Sequence, residues 1–325
     1  MWQAAVASLA LVLLFPRFVV GQQNETLADA LRRDAVPTTQ DSIHHLNDPI
    51  TSYAELNTDQ EFLIAYYLAT PQNELRFPLM LARFDKQSEK WRETSFTGLK
   101  VKVLVGGIRW WEDDCIGSVM SVEHNGDWYY LNLHWNPSAG CMVILNRDLT
   151  VHQTLTGWTA AFFKSGSLLY KGSMVHFAPV HPETLFLYDP SADKSQRIYP
   201  QENDPLRRDF SKRLEKILDK NQCQENQACN PETFETAIDK IEVNDTTDSL
   251  AFRVDFSPIG FLDTEAAQDS GQWDDDQYVY LYRFNPLRWR EFSIYDLKPK
   301  FGTDSLKELL TPEKLDKVFA TPAPR

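Results

Sequence analysis

One strand–turn–strand pattern recurs four times along the chain, and it limits the possible folds more than any other feature of the sequence. Each copy has an apolar or alternating strand, a turn rich in Asp, Asn, Pro or Ser, and a second strand with basic and aromatic residues. Short strands joined by such turns are typical of antiparallel β-hairpins. The pattern therefore predicts a mainly antiparallel all-β fold. The copies begin at Pro78, Cys141, Thr184 and Tyr278.

The spacing of the copies predicts how the hairpins are arranged. The second and third copies begin about 40 residues apart, which is the length of a four-stranded propeller blade. The interval between the third and fourth copies is long enough for one more repeat, which we place around Ser249. These intervals predict a degenerate five-bladed β-propeller over residues 58–297. A β-sandwich with hairpin appendages is the alternative.

Two predicted strands carry aromatic side chains at alternate positions. From Tyr278 to Phe284 the alternate residues are aromatic, and Val279 and Leu281 between them are apolar, as expected of an inner strand covered on both faces. The other strand follows the turn signal Asn125–Gly126. One of its faces mixes polar and aromatic residues, and we expect it to be a partly exposed sheet surface. That face holds Trp128, Tyr130, Asn132 and His134.

Helix signals interrupt the β pattern between residues 204 and 240. Asp204–Pro205 supplies an N-cap and a proline at the first helical position, and an amphipathic stripe follows. Asn230–Pro231 repeats the signal ahead of Phe234 and Ile238. The sequence predicts a helical insertion over residues 204–240, made of two short helices.

The two ends of the chain differ from the β region. Residues 22–57 are polar and lack a sustained period, so we expect a loose N-terminal segment. Residues 298–325 contain helical runs, one of them capped by Thr311 before Pro312, and end in a Pro-containing stretch. They predict a helical C-terminal tail with a disordered end.

The first residues of the chain have the layout of a signal peptide. Met1 to Phe15 form an apolar run too short to cross a bilayer comfortably, and Pro16 and Arg17 follow it. Cleavage before Gln22 would remove residues 1–21. The alternative is a retained N-terminal anchor, because no Lys or Arg precedes the apolar core. We predict a secreted protein, extracellular or periplasmic, without a stable membrane anchor.

The chain has four cysteines, and an even number in an exported protein favours disulfides. Cys223 and Cys229 flank a short polar loop that a disulfide can close, which leaves Cys115 to pair with Cys141. The two sequons at Asn24 and Asn244 would be glycosylated only in a eukaryotic secretory pathway.

Charge excludes one class of partner. The chain has 33 Lys and Arg against 46 Asp and Glu, a formal net charge of −13. A polyanion would be repelled over most of such a surface, so we do not expect nucleic-acid binding. The sequence also lacks HExxH, GxSxG and GxGxxG motifs, and we expect no metal site and no cofactor.

Two segments place tryptophan directly before acidic residues, a combination that suits carbohydrate binding. Aromatic faces stack on sugar rings, and glycoside hydrolysis needs two carboxylates across the scissile bond. Acidic runs can also bind Ca²⁺, although neither run has the spacing of a calcium loop. The third interpretation is that both are solvated loops. The segments supply ligand-binding candidates Trp110, Trp111 and Trp273, and catalytic candidates Glu112, Asp113, Asp114, Asp274, Asp275 and Asp276.

The missing catalytic motifs and the aromatic-rich β pattern favour a non-catalytic binding or scaffold protein. Its ligand would be a carbohydrate or a protein. The alternative is a carbohydrate-active hydrolase that uses carboxylates of the two Trp–acid segments.

Overall fold

The computed structural model describes residues 25–38, 43–69, 78–105, 109–136, 139–172, 183–201, 204–217, 235–257, 276–283, 291–295 and 306–320. Their architecture is mainly antiparallel β, as the sequence predicts. Most strands belong to four antiparallel sheets of four strands each, which we call sheets I to IV in chain order. In every sheet the strands are adjacent in the order of the sequence.

The strands of the four sheets are as follows. Sheet I contains β1 (Ile50–Asn57), β2 (Glu61–Leu68), β3 (Leu79–Asp85) and β4 (Lys90–Phe96). A two-stranded hairpin, β5 (Lys100–Val105) and β6 (Arg109–Asp114), comes next. Sheet II contains β7 (Ser118–Asn125), β8 (Trp128–Asn136), β9 (Ala139–Asn146) and β10 (Val151–Thr156). Sheet III contains β11 (Trp158–Phe162), β12 (Leu168–Lys171), β13 (Leu185–Asp189) and β14 (Lys194–Tyr199). Sheet IV contains β15 (Glu235–Asn244), β16 (Ser249–Ser257), β17 (Asp276–Arg283) and β18 (Glu291–Tyr295).

All four recurring hairpins of the sequence are present. They are the third and fourth strands of each sheet, namely β3–β4, β9–β10, β13–β14 and β17–β18. Gly126 takes the left-handed backbone conformation, with φ of 63°, in the predicted tight turn between β7 and β8. The turn chemistry and the alternation of side chains were therefore sufficient to locate the hairpins.

Alternate residues of each strand point to opposite faces of its sheet, so both faces can carry apolar side chains. The sheets pack face to face in chain order. Leu63 of β2 packs with Leu131 of β8 in the core between sheets I and II. Met142 of β9 packs with Leu168 of β12 between sheets II and III. On the other face of sheet III, Leu187 shares a core with Phe252 of sheet IV.

Helices cover the two faces that remain at the ends of this series. The helix α1 (Leu27–Arg33) is capped by Thr26, and Leu31 buries itself against the face of sheet I that carries Ile64. At the other end, a 3-10 helix (Leu306–Leu310) and α3 (Pro312–Ala320) cover the face of sheet IV that carries Leu281. Sheet IV is therefore covered on both faces, as predicted from the alternation in β17.

The N-terminal segment differs from the expected loose structure. Its described residues form α1 and β1, and Leu27, Ile43 and Ile50 are almost fully buried. The prediction failed because the segment has no regular apolar periodicity, whereas single apolar residues in it still pack against sheet I.

Two expectations about the region after residue 188 are wrong. Ser249 does not begin a separate repeat, since β16 pairs with β17 and belongs to the same sheet as the fourth hairpin. Ile238 is not helical, because β15 pairs with β16 along its whole length. The first predicted helix is present as α2 (Pro205–Ile217). Residues 218–234, with Cys223 and Cys229, lie outside the described residues.

The described residues show the face-to-face series of sheets, and its closure into a propeller stays a prediction. The repeat that supplied the fifth blade, around Ser249, belongs to sheet IV. Among these residues, no helix has the length and apolar composition that crossing a bilayer requires. Cys115 and Cys141 form the predicted disulfide, with Cα atoms 5.7 Å apart.

Candidate functional site

The first Trp–acid segment is a strand and not a loop. It forms β6, in which Trp111 lies opposite Val103 and Glu112 opposite Lys102. Glu112 is exposed, and the Asp114 carboxylate forms an ion pair with Lys100 Nζ at 2.5 Å. For Trp110, Trp111 and Asp113 only the backbone register is described.

The second Trp–acid segment lies almost entirely outside the described residues. Trp273, Asp274 and Asp275 fall in that part of the chain, and Asp276 begins β17 opposite Phe256. Convergence of the two segments on one pocket is therefore still a prediction.

A polar cluster lies where β11 of sheet III crosses the face of sheet II, and we call it the junction cluster. It consists of Ser121 and Glu123 of β7, Asn132 of β8 and Thr159 of β11. Asn132 is buried, with 3% of its surface exposed. The cluster brings together three strands of two sheets.

Backbone geometry accounts for the meeting of these residues. The β7–β8 register places Ser121 opposite Asn132, and opposite residues of an antiparallel pair share one face of the sheet. A single residue, Gly157, separates β10 from β11. Its φ is 117°, and its N–H donates to the Gly140 carbonyl at 2.8 Å. A side chain is strained at such a φ, so glycine permits the sharp change of direction that carries Thr159 onto sheet II.

The hydrogen bonds of the junction cluster converge on one oxygen of Glu123. Asn132 Nδ2 lies 2.8 Å from the hydroxyl oxygens of both Ser121 and Thr159, and it donates one amide hydrogen to each of them. Each hydroxyl then donates its proton to Glu123 Oε1 at 2.8 Å. Asn132 Nδ2 also lies 3.0 Å from Oε1, and its Oδ1 accepts from the Thr159 N–H at 3.0 Å. The carboxylate is therefore held in one orientation.

Tyr130 forms the inner wall of the junction cluster. It lies directly opposite Glu123 in the β7–β8 register, and its ring packs 4.9 Å from that of Phe162. The side chain is fully buried, and its hydroxyl finds no hydrogen-bond partner among the described residues. Burial, together with the negative charge of Glu123, raises the pKa of Tyr130. Its phenol is therefore a neutral O–H donor at physiological pH.

Trp158 and His134 border the cluster on the other side of Asn132. Their rings stack with centroids 6.1 Å apart. A Cβ at Gly140 would lie only 2.1 Å from Trp158 Nε1, so the indole packs directly on the glycine backbone. Trp158 Nε1 is buried and finds no acceptor in the described part of the chain. The cluster thus has aromatic walls at both ends.

This arrangement corrects the sequence interpretation of the β8 face. Tyr130 and Asn132 are buried against sheet III, whereas Trp128 and His134 are half-buried. The expected partly exposed surface is therefore a sheet-to-sheet interface at its centre. The sequence contained one signal, a polar Asn between aromatic residues on one strand face, and no signal for its partner Thr159.

A different carboxylate, that of Glu61, is buried and joins sheets I and II. Glu61 of β2 accepts hydrogen bonds from Arg83 Nε and from the Tyr129 hydroxyl, both at 2.7 Å. His124 stacks on Tyr129, and its Nδ1 lies 3.7 Å from Glu61 Oε1. Because Arg83 neutralises this buried charge and Tyr129 of the next sheet donates to the same oxygen, Oε2, we assign Glu61 a structural role between the two sheets.

The described residues contain no group of three or more His, Cys, Asp or Glu side chains able to hold a metal ion. The acidic run at residues 274–275 lies outside these residues.

Comparisons with known proteins give little further guidance. No family model matches the chain, and no curated protein sequence matches it. Among solved structures, it is similar to a GH43 β-1,3-galactosidase in complex with galactodeoxynojirimycin, at 11% identity and a TM-score of 0.30, with 80% of each chain covered. A similarity this distant supports no inference about the activity or the site of this chain.

Proposed function

We propose that this is an exported, non-catalytic binding or scaffold protein that holds its ligand, a carbohydrate or a protein, at the junction cluster. The observation that carries the proposal is the state of Glu123. One carboxylate oxygen takes both hydroxyl protons of the cluster, and the other accepts no hydrogen bond from the described residues. A fixed carboxylate with one free oxygen is a preorganised acceptor for a ligand donor.

The same geometry favours binding over hydrolysis. Glycoside hydrolysis requires a second carboxylate on the other side of the scissile bond. In the described structure, the hydrogen-bond partners of Glu123 are all neutral side chains, namely Ser121, Asn132 and Thr159. These three side chains orient the Glu123 carboxylate and do not act as the second acid or base that hydrolysis needs.

Export is supported by two features of the chain. Residues 1–21 have the composition of a signal peptide. The Cys115–Cys141 disulfide is buried, with each cysteine 1% exposed, and such bonds persist in oxidising compartments. A mature N-terminus near Gln22 in the soluble extracytoplasmic fraction is the outcome that supports this part of the proposal, and an intact Met1 in a membrane pellet would contradict it.

The hydrolase alternative predicts a different set of essential residues. It would use Glu112, Asp113 and Asp114 together with Asp274 to Asp276, and it requires the two Trp–acid segments to converge.

One experiment separates the two functions. The mature protein and three variants are tested by calorimetry for binding to glycans and extracellular proteins, and for release of reducing sugar from polysaccharides. The variants are Glu123→Gln, the exposed control Glu308→Gln, and the triple change Asp274→Asn, Asp275→Asn, Asp276→Asn. We expect binding that only Glu123→Gln weakens, and no sugar release. Sugar release that the triple variant abolishes would overturn the proposal in favour of the hydrolase.

A further inference from the structure

The end of α1 lies against a row of polar side chains on β1. Tyr53, Glu55 and Asn57 are alternate residues of that strand, so they stand on one face of sheet I. We propose that Glu55 and Asp34, the residue that ends α1, form a pH-sensitive latch, which holds the helix on sheet I in acid and lets it open as the pH rises. This inference goes beyond the proposed function and does not depend on it.

Two contacts hold the Asp34 side chain against this row. Asn57 Nδ2 donates to Asp34 Oδ1 at 3.2 Å, and the carboxyl groups of Glu55 and Asp34 are hydrogen-bonded to each other. Asp34 is the C-cap residue of α1, between the buried residues Leu31 and Val36. It can therefore leave Glu55 only if the end of the helix leaves the sheet.

The hydrogen bond between the two carboxyl groups requires a proton. An ionised carboxylate only accepts hydrogen bonds, so one of the two groups must be protonated to donate. When that proton is lost, two negative charges stand side by side and repel each other. The same contact thus attracts in one protonation state and repels in the other.

The surrounding charges of α1 and β1 do not compensate for a second negative charge. Arg33 attracts the Glu55 carboxylate and Glu25 repels it. Arg33 is already paired with Glu25, at 3.2 Å between Nη1 and Oε1, and it also donates to the Tyr53 hydroxyl. The Tyr53 hydroxyl in turn donates to Glu25 Oε2 at 3.0 Å. One arginine therefore faces three carboxyl groups, those of Glu25, Asp34 and Glu55.

The other nearby charges are paired with different groups. Lys86 reaches Asn57 Oδ1 at 2.7 Å, on the far side of the amide that donates to Asp34. On α1 itself, Arg32 pairs with Asp29 at 2.9 Å. In the segment after the helix, His44 Nδ1 lies 2.8 Å from Glu93 Oε2.

Burial of the carboxyl group, together with the Asp34 carboxylate, raises the pKa of Glu55 from 4.5 to about 7. In the open state the group returns to its ordinary surroundings. Between these two pH values the closed latch holds a proton that the open one has lost, so opening becomes easier as the pH rises. From pH 5 to pH 8 this linkage favours opening by about tenfold or more.

Opening the latch also unfolds the helix. With seven residues, α1 is too short to be stable in water without the sheet beneath it. Its buried residues Leu27, Ala30 and Leu31 pack on the face of sheet I that carries Ile64. Exchange of the α1 amide hydrogens with solvent therefore reports on the latch.

The test measures hydrogen exchange of residues 27–33 by mass spectrometry at pH 5, 6, 7 and 8. Each rate is divided into that of an unstructured peptide at the same pH to give a protection factor. We expect the protection of α1 in the wild type to fall by about tenfold or more from pH 5 to pH 8. In Glu55→Gln the amide donates to Asp34 at every pH, so the profile should be flat. Asp59→Asn, which removes an exposed carboxylate from the turn after the same strand, is the matched control and should keep the wild-type slope.

Amides of β8 in the same experiment separate opening of the latch from unfolding of the whole molecule. We expect them to be better protected than those of α1 at every pH, because β8 lies in the buried centre of sheet II. Equal protection of α1 and β8 would show that the helix opens only with the whole protein, and it would overturn the latch. An α1 profile that is flat in the wild type, or that has the same slope in Glu55→Gln, would overturn it as well. None of these results bears on ligand binding at the junction cluster.

Discussion

Asp204 and Tyr280 join α2 to the centre of sheet IV. The Tyr280 hydroxyl donates to Asp204 Oδ2 at 2.6 Å, and both residues are buried. The other carboxylate oxygen, Oδ1, caps the helix by accepting from the N–H groups of Leu206 at 2.9 Å and Arg207 at 3.3 Å. One aspartate thus ends the connection from sheet III, starts the helix and fixes it to the next sheet.

Replacing Asp204 is expected to destabilise the protein strongly. Asp204→Ala should lower the free energy of unfolding by about 2–4 kcal/mol, since it removes an N-cap and the buried hydrogen bond from the Tyr280 hydroxyl. Asp204→Asn keeps a capping oxygen and should lose less. Urea denaturation of both variants measures the difference. Equal losses in the two variants would show that the capping hydrogen bonds contribute little.

The helix start at Asp204 was predictable because its signals are local. The aspartate, the following proline and the amphipathic stripe all lie within one short stretch. Asn230–Pro231 carries the same local signal ahead of Ile238, yet Ile238 lies in β15. There the pairing of β15 with β16 decides the structure, and local propensity does not report such long-range pairing.

The junction cluster could not be predicted for a related reason. Ser121 and Glu123 are close in sequence, but Asn132 and Thr159 reach them only through the hairpin register and the crossing of β11. Turn signals predicted the hairpin. Nothing in the sequence around Gly157 indicated that the next strand would cross sheet II. The Trp–acid segments could be found because each is a contiguous run of residues, whereas their convergence on one site, like the junction cluster, depends on long-range contacts.

The stability of the protein should depend on pH through Glu55. Burial of its carboxyl group and the neighbouring Asp34 carboxylate raise the pKa of Glu55 to about 7, from an ordinary 4.5. The residue as a whole is exposed, so the shift reflects the local surroundings of the carboxyl group. Between these two pH values the folded chain keeps a proton that the unfolded chain has lost. The free energy of unfolding should therefore fall as the pH rises from about 4.5 to about 7.

The variant Glu55→Gln removes the titrating group and should flatten this part of the pH profile. Urea denaturation between pH 4 and pH 8 measures it, with the exposed Glu112→Gln as the control that keeps the wild-type slope. A profile of Glu55→Gln that still parallels the wild type would assign the slope to other groups.

The Cys115–Cys141 disulfide should contribute more to stability than the predicted Cys223–Cys229 pair. In the chain-entropy model the longer loop gives the larger effect, by about 1 kcal/mol here, and removal of a disulfide costs about 2–4 kcal/mol. We expect Cys115→Ala/Cys141→Ala to lower the free energy of unfolding more than Cys223→Ala/Cys229→Ala. Peptide mapping without reduction should first find both pairs and no free thiol. A Cys115–Cys223 link would contradict the assignment.

Gly140 should be irreplaceable as long as Trp158 occupies its present position. A Cβ at residue 140 would lie 2.1 Å from Trp158 Nε1 and 2.2 Å from Cε2, so Gly140→Ala must displace the indole. We expect a loss of about 1–3 kcal/mol in the free energy of unfolding, the usual cost of overpacking. In the background of Trp158→Ala the same glycine substitution should cost almost nothing, and a double-mutant cycle measured by urea denaturation gives this coupling. Since the indole borders the junction cluster, Gly140→Ala should also weaken any ligand bound there. If the losses in unfolding free energy of the two single variants add up in the double variant, the contact with Trp158 is not the reason that residue 140 is a glycine.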